Sequence, residues 1–166
     1  MSTVDDLKEA FAGESQANRR YLAYAEKAEG EGFPGVAKLL RAVAAAETVH
    51  AMNHLKAMGG IGGTVANLTE AMAGEKYEFT EMYPPMLAGA EAEGHKKGAR
   101  SMRFALEVEK VHYDLFAKAL EAVTAGKDLA DVTVHVCPVC GHTVIGPVEG
   151  PCPVCGCRPD LYDAIA

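Results

Sequence analysis

The sequence has no cysteine before position 137. It also has no run of about eighteen apolar residues, so we expect no helix that crosses a bilayer. Positive charge is scarce, with 16 Lys and Arg against 23 Asp and Glu. The resulting net charge of −7 argues against nucleic acid or an anionic membrane as a partner. The opening residues MSTVDDLKEAF lack the apolar segment of a secretory signal, which favours a cytoplasmic location.

The five cysteines that are present all lie between positions 137 and 157. Disulfide scaffolds distribute their cysteines along small secreted chains, so a cluster at one end of this chain favours metal ligation. The remaining composition, 49% hydrophobic and 23% charged, allows a packed core. With 166 residues, we expect one domain joined to a small module.

The composition changes near residue 126. Upstream, apolar residues recur at helical spacing and predict a four-helix domain over 1–126. The first two helices cover about 4–30 and 34–58, the third begins near Asn67 and is disturbed at Pro84 and Pro85, and the fourth runs from a turn at 93–94 to 124. Downstream, Val, Gly, Pro and Cys predict a module of short strands and turns over 127–166.

A glutamate interrupts the apolar face of each predicted helix. The second and fourth helices share a Glu-x-x-His pattern, while the first and third supply Glu alone: Glu47 and His50, Glu109 and His112, Glu14, and Glu75 with Glu78. One buried, unpaired carboxylate costs several kcal/mol, and five would exceed the roughly 5–15 kcal/mol by which a domain is stable. Since no Lys or Arg occupies these faces, we expect two metal ions to balance the charge.

The three-residue spacing of Glu and His places both side chains on one face of a helix. One metal can then take the imidazole while the carboxylate reaches between two metals. Oxygen ligands with one or two imidazoles suit iron or manganese. Glu from two helices and Glu-x-x-His from two others is the ligand arrangement of di-iron carboxylate bundles.

Two Cys-Pro-Val-Cys-Gly segments form a second metal signal, because each pair can bind a tetrahedral ion from a tight turn. Their thiols belong to Cys137, Cys140, Cys152 and Cys155. Zinc ribbons use the same spacing, so zinc remains an alternative to iron here. A redox-active centre upstream favours iron, and Cys157 is left as a thiol that binds no metal.

Four segments resemble the rubrerythrin family: AFAGESQANRRY, AETVHA, GEKYEFTEMYP and EVEKVH. The tail resembles rubredoxin in its paired CPVCG segments. The resemblance implies a mainly α protein, with a ferritin-like four-helix bundle followed by a small rubredoxin-like β module.

The resemblance also assigns ligands to a di-iron site. It implies that Glu47 and Glu109 bridge the two irons, that Glu14 binds the first iron, and that Glu75 and His112 bind the second.

Further roles follow from the same resemblance. Glu78 and His50 would exchange as ligands of the first iron, and Tyr21 and Tyr83 would hydrogen-bond ligand carboxylates. The rubredoxin-type iron would be held by the four paired thiols, Cys137, Cys140, Cys152 and Cys155.

As a function, the resemblance implies a peroxidase protective in oxidative stress. Hydrogen peroxide would be reduced to water at the di-iron site, with electrons relayed from a reductase or rubredoxin through the four-cysteine iron. Two alternatives stay open: an iron-oxidising or iron-storing protein, and a non-enzymatic module whose zinc ribbon docks partners.

The link between the second and third helices is short. In a bundle where these helices are parallel, 59–66 must span about 26 Å, which eight residues reach only when nearly straight. We therefore expect a homodimer, in which the first two helices of one chain can complete a bundle with the last two helices of the other. One chain would supply Glu14, Glu47 and His50, and its partner would supply the ligands from the third and fourth helices.

Overall fold

The computed structural model describes residues 2–129 and 133–165. In chain order the elements are α1 (Thr3–Gly30), α2 (Pro34–Ala57), α3 (Thr64–Tyr77), a π-helical segment (Glu78–Met82), α4 (Tyr83–Ala92), α5 (Lys96–Thr124), β1 (Val134–Val136), β2 (Thr143–Ile145), a 3₁₀ turn (Pro159–Leu161) and β3 (Asp163–Ile165). The predicted mainly α fold is confirmed. Among these residues, no helix combines the length and apolarity that a membrane crossing needs.

The chain divides into two compact units, residues 1–62 and 63–166. In the first unit, α1 and α2 form a hairpin whose seam is built from small residues. Ala25, Ala37 and Ala44 are almost completely buried there, which lets the two backbones approach closely. Ser2 caps α1, since its hydroxyl accepts from the Asp5 amide while the Asp5 carboxylate accepts from the Ser2 amide.

In the second unit, α3, the π-helical segment and α4 form one continuous rod that packs against α5. The rod begins at Thr64, three residues before the predicted start at Asn67. Its disturbance lies at 78–82, where the Tyr83 amide donates to the Glu78 carbonyl. Pro84 and Pro85 have no amide hydrogen to continue the α-helical pattern, and a π turn directly before them accommodates this loss.

The C-terminal module of the second unit is a three-stranded antiparallel sheet with strand order β2-β1-β3. Strand β2 contacts α5, so the module is seated on the helical part of its own unit. Gly141 and Gly156 follow the second cysteine of each pair and have φ of 84° and 76°, a conformation that glycine adopts without strain. Helix α5 ends at Thr124, and the domain division near residue 126 stays a prediction.

Candidate metal centres

The first unit brings Glu14, Glu47 and His50 together, with ligand atoms all within 4.8 Å of one another. His50 Nδ1 lies 2.9 Å from Glu47 Oε2 and 4.0 Å from Glu14 Oε1. The His50 side chain is 54% exposed, whereas that of Glu47 is 14% exposed. We call these three residues the first half-site, because three ligands can hold one edge of a metal centre but cannot enclose it.

Asn18 fixes the two helices of this half-site relative to each other. It is the buried polar residue one turn beyond Glu14, and its Nδ2 donates to the Ala44 carbonyl at 2.7 Å and to Thr48 Oγ1 at 2.8 Å. Since Thr48 directly follows Glu47, these bonds set the height of α1 against α2 at the level of the carboxylates.

The second unit brings Glu75, Glu109 and His112 together in the same way, and we call them the second half-site. His112 Nδ1 lies 2.8 Å from Glu109 Oε2 and 3.9 Å from Glu75 Oε2. Burial, reinforced by the hydrogen bond and negative charge of Glu109, raises the pKa of Glu75 to about 7. Among the described residues, Glu75 Oε2 has no hydrogen-bond partner although it is buried. This orphaned oxygen beside a second carboxylate fits a bound cation.

Glu78 and Tyr83 border the second half-site from the π-helical segment and the start of α4. Burial and the charge of Glu109 raise the pKa of Glu78. Burial and the carboxylates of Glu78, Glu109 and Glu75 raise the pKa of Tyr83, because a phenolate there would face negative charge. Both side chains therefore share the electrostatic environment of the half-site, although Glu78 lies outside the set of three whose ligand atoms are within 4.8 Å of one another.

Tyr21 lies on α1, two turns beyond Glu14, with its ring 6.3 Å from that of Tyr24. The hydrogen bonds from Tyr21 and Tyr83 to ligand carboxylates stay a prediction.

The four paired cysteines converge in the C-terminal module, with their sulfur atoms all within 4.8 Å. Cys137 Sγ lies 3.6 Å from Cys155 Sγ, and Cys140 Sγ lies 3.5 Å from Cys152 Sγ. A tetrahedral ion with metal–sulfur bonds of about 2.3 Å separates its sulfurs by about 3.8 Å. The spacing therefore fits one tetrahedral metal ion. Cys157 lies outside this set of four, and its role as a thiol that binds no metal stays a prediction.

The charge of these thiols also calls for a cation. Burial opposes the Cys152 thiolate, but hydrogen bonds from the Tyr162 hydroxyl and from the amides of Cys155 and Val154 outweigh it and lower the pKa of Cys152 to about 6. Burial and the neighbouring thiols raise the pKa of Cys140 above its usual range. All four thiols can therefore lose their protons together only when a positive ion lies among the sulfurs.

Two contacts were missed by the sequence analysis. His112 Nε2 lies 3.1 Å from Thr143 Oγ1 and 3.3 Å from the Gly141 carbonyl, which joins a ligand of the second half-site to the four-cysteine module. The Tyr162 hydroxyl contacts both His142 Nδ1, at 3.0 Å, and Cys152. No spacing rule could have found these contacts, because each connects residues that are distant in sequence through tertiary packing.

The fold and the two kinds of site define a class: a ferritin-like helical protein whose carboxylate–histidine and four-cysteine sites fit a di-iron centre and a rubredoxin-type iron. The family profile for rubrerythrin matches residues 5–120, and the chain belongs to the rubrerythrin family.

Relatives of this chain agree with the family. Rubrerythrin-2 of Clostridium acetobutylicum is 35% identical, over 98% of this chain and 96% of that protein. Nigerythrin of Nitratidesulfovibrio vulgaris is 33% identical, over 98% of this chain and 86% of that protein. The structure of partially reduced nigerythrin matches with a TM-score of 0.60 at 30% identity, covering 99% of this chain and 87% of the other. Nigerythrin has also been solved in a fully reduced state described as all ferrous, again with a TM-score of 0.60.

Proposed function

We propose that the protein is a non-haem di-iron peroxidase that reduces hydrogen peroxide to two molecules of water. The reaction consumes two electrons and two protons, and the electrons arrive one at a time through an iron held by the four cysteines. The observation that carries the proposal is the pairing, in one unit, of a carboxylate half-site with an orphaned oxygen and a four-thiolate site that touches its histidine.

In this proposal the two half-sites supply the ligands of one di-iron centre. Glu47 and Glu109 would be shared by the two irons, Glu14 would hold the first, and Glu75 and His112 would hold the second. When bound, the irons supply the electrons that cleave the O–O bond. Burial raises the pKa of Glu75 to about 7, so near neutral pH part of the metal-free chains carry a proton on this carboxyl, which must be released when Glu75 becomes a ligand.

Glu78 and His50 are proposed as the ligands that exchange at the first iron. The exposure of His50, at 54%, leaves its ring room to move, and the π-helical segment places Glu78 where the helix can rearrange. Tyr83 would donate to a carboxylate, since the surrounding negative charge keeps its hydroxyl protonated.

For the four-cysteine site, iron is proposed rather than zinc because only iron can carry an electron. Amide and hydroxyl donors surround the sulfurs, and such bonds tune the potential of an iron–thiolate site. Protein purified with its native metal should be red if the site holds ferric iron. A colourless protein with one tightly bound zinc would favour the alternative of a structural zinc ribbon.

The test of the peroxidase is stopped-flow oxidation of the chemically reduced protein by peroxide and by dioxygen. We expect peroxide to oxidise the di-iron site faster, with Glu47→Ala and Glu109→Ala inactive because each lacks a bridge. Faster oxidation by dioxygen, with a cage-sized assembly in size-exclusion chromatography, would instead indicate an iron-oxidising or iron-storing protein.

The role of the four-cysteine site has its own test. Cys137→Ala should leave the reduced di-iron site able to react once with peroxide, because the two sites use different ligands. Steady turnover driven by a reductase should fail, because no electron can enter. Undiminished turnover would show that the four-cysteine site serves only the structure of the module.

We further propose that the protein is a homodimer whose bundles are exchanged. Helix α2 continues seven residues beyond His50, and α3 begins eleven residues before Glu75. In a bundle with α2 and α3 parallel, the link must return about 27 Å and cross about 8–10 Å sideways. The residues 58–63 between Ala57 and Thr64 reach at most about 25 Å. Two chains avoid this shortfall when each completes the other's bundle.

A further inference from the structure

We propose that Thr143 is a positioning residue for His112. Its hydroxyl, with the carbonyl of Gly141, holds the imidazole in the tautomer that offers Nδ1 to a metal, and it joins the four-cysteine module to the second half-site. The part of this inference that concerns electron transfer rests on the proposed function, whereas the part that concerns metal retention does not.

The two ring nitrogens of His112 face different parts of the molecule. Nδ1 faces the half-site, 2.8 Å from Glu109 Oε2, while Nε2 faces the module, 3.1 Å from Thr143 Oγ1 and 3.3 Å from the Gly141 carbonyl oxygen. The side chain is 26% exposed, and each of its two ring nitrogens has a protein contact. Thr143 is the first residue of β2, so its backbone is fixed by the sheet.

The Gly141 carbonyl requires a hydrogen on Nε2 of His112. A carbonyl oxygen can only accept, so at 3.3 Å it favours a hydrogen on Nε2. The Thr143 hydroxyl donates to the same carbonyl at 3.0 Å, which leaves its own oxygen free to accept from Nε2. All three groups are satisfied only with Nε2 protonated.

The consequence appears at the other edge of the ring. The Glu109 carboxylate, like the carbonyl, can only accept, so the Nδ1 position beside it holds either a hydrogen or a metal ion, whereas Nε2 keeps its hydrogen in both cases. Histidine ligands of metals are commonly held by such a bond from their second nitrogen. The module thus occupies Nε2 and leaves Nδ1 as the nitrogen that a metal at the half-site can take.

The same contact gives a short connection, through one peptide unit and one hydrogen bond, from the module to the half-site. Gly141 directly follows the ligand Cys140, so one peptide unit separates a thiolate ligand from the carbonyl that accepts from His112. With both sites loaded, an electron passing from the four-cysteine site would cross that peptide and one hydrogen bond to reach the imidazole. It makes and breaks no bond on the way, and the reductase replaces it at the four-cysteine site.

The test compares Thr143→Val, Thr143→Ala and Thr143→Ser in the full-length, iron-loaded protein. Valine keeps the shape and strand preference of threonine but has no hydroxyl, alanine removes the side chain, and serine retains the hydroxyl. Thr133→Val serves as the matched control, because Thr133 is an exposed residue directly before β1 in the same module. An unchanged visible spectrum of the four-cysteine iron identifies variants whose module is folded.

The first readout is iron release to a chelator, which needs no turnover. We expect one iron of the di-iron centre to be lost about tenfold faster in Thr143→Val and Thr143→Ala, the lower end of the range for loss of a bond that orients a metal ligand. Thr143→Ser and Thr133→Val should match the wild type. Release at the wild-type rate in both hydroxyl-free variants would overturn the positioning role.

The second readout is the rate at which electrons pass from the reduced four-cysteine iron to the oxidised di-iron site. In samples that still hold all their iron, it should fall about tenfold without the hydroxyl, while Thr143→Ser and Thr133→Val transfer electrons at the wild-type rate. An unchanged transfer rate would overturn the relay. Wild-type protein that fails to react with peroxide would instead refute the proposed function, and the chelator result would still decide the role of Thr143.

Discussion

The two half-sites use one motif in two different surroundings. In each, Nδ1 of the histidine lies within 3 Å of the glutamate three residues earlier, at 2.9 Å for His50 and 2.8 Å for His112. His50 is 54% exposed, whereas His112 is 26% exposed and contacts the four-cysteine module through its other nitrogen. The helix therefore fixes the pairing of Glu with His, and tertiary contacts decide how firmly the ring is held.

The helices that carry the half-sites differ as well. The first half-site stands on two uninterrupted helices, α1 and α2, joined at its level by Asn18. The second has the π-helical segment beginning three residues after Glu75, with Glu78 as its first residue. We expect the contacts between α1 and α2 to set the geometry of the first half-site. The contact with the four-cysteine module should set the geometry of the second.

The largest effect is expected from mixing chains that carry lesions in different half-sites. Glu47→Ala chains and Glu109→Ala chains are combined, unfolded and refolded with iron. In an exchanged dimer both lesions fall in one bundle and the other bundle is intact, so about a quarter of the sites should regain activity with random pairing. Di-iron absorbance and peroxide turnover measure the recovery.

The control for this experiment is each variant refolded alone, which should regain no di-iron site. An unexchanged dimer would carry one lesion in each bundle, and mixing would then restore nothing. That result would refute the exchange and would require another path for the 58–63 link.

The second prediction compares the two histidines directly. His112→Ala should weaken retention of one iron about 10- to 100-fold, because it removes both a ligand and the contact with the module. His50→Ala should weaken retention less, since its ring is exposed and Glu78 can take its place in the proposed exchange. Iron content after dialysis against a chelator measures both.

Equal losses in the two histidine variants would contradict the contrast. A greater loss in His50→Ala would reverse it, and would mean that the first half-site holds its metal more tightly than its exposure suggests.

The motif that the two half-sites share was predictable from sequence. Helical spacing placed Glu47 with His50 and Glu109 with His112 on single faces, and the π segment lies just before the predicted disturbance at Pro84. Local rules sufficed because each of these features depends on residues within about two helical turns.

The remaining features depend on packing over long sequence distances. The contact of His112 with Thr143 spans 31 residues, and that of Asn18 with Thr48 spans 30. The start of α3 at Thr64 was also missed, because Asn67 is a stronger capping residue by type than Gly63, which precedes the observed first turn. The earlier start of α3 shortens the link between α2 and α3, which strengthens the case for bundles exchanged between two chains.

The third prediction concerns pH and the second half-site. The pKa of Glu75 in the folded chain, about 7, lies above the 4.5 that is usual for a glutamate. Its protonation therefore stabilises the metal-free fold fully below about pH 4.5, and this contribution is lost as the pH rises through about 7. Glu75→Gln, which stays neutral, should be more stable than the wild type at pH 8 by about 2–3 kcal/mol, and the gap should shrink towards pH 5.

Denaturant unfolding of both metal-free proteins across this pH range measures the difference. A gap that stays constant with pH would show that Glu75 is not the titrating group. With metal bound the order should reverse, because the carboxylate is then a ligand and glutamine is a poorer one.

The smallest effect is expected at the seam of the first half-site. Asn18→Ala removes two hydrogen bonds between α1 and α2 and should destabilise the metal-free chain by about 1–2 kcal/mol. Thr48→Val, the matched control, removes a hydroxyl that accepts from Asn18 and donates to the Ala44 carbonyl within α2, and it should cost less, since the bond from Asn18 to that carbonyl survives. Denaturant midpoints rank the two variants.

If the seam sets the height of Glu14 against Glu47, Asn18→Ala should also weaken iron retention at the first half-site while Thr143→Val does not. Equal stability of Asn18→Ala and the wild type would show that the small-residue seam alone holds the hairpin in register.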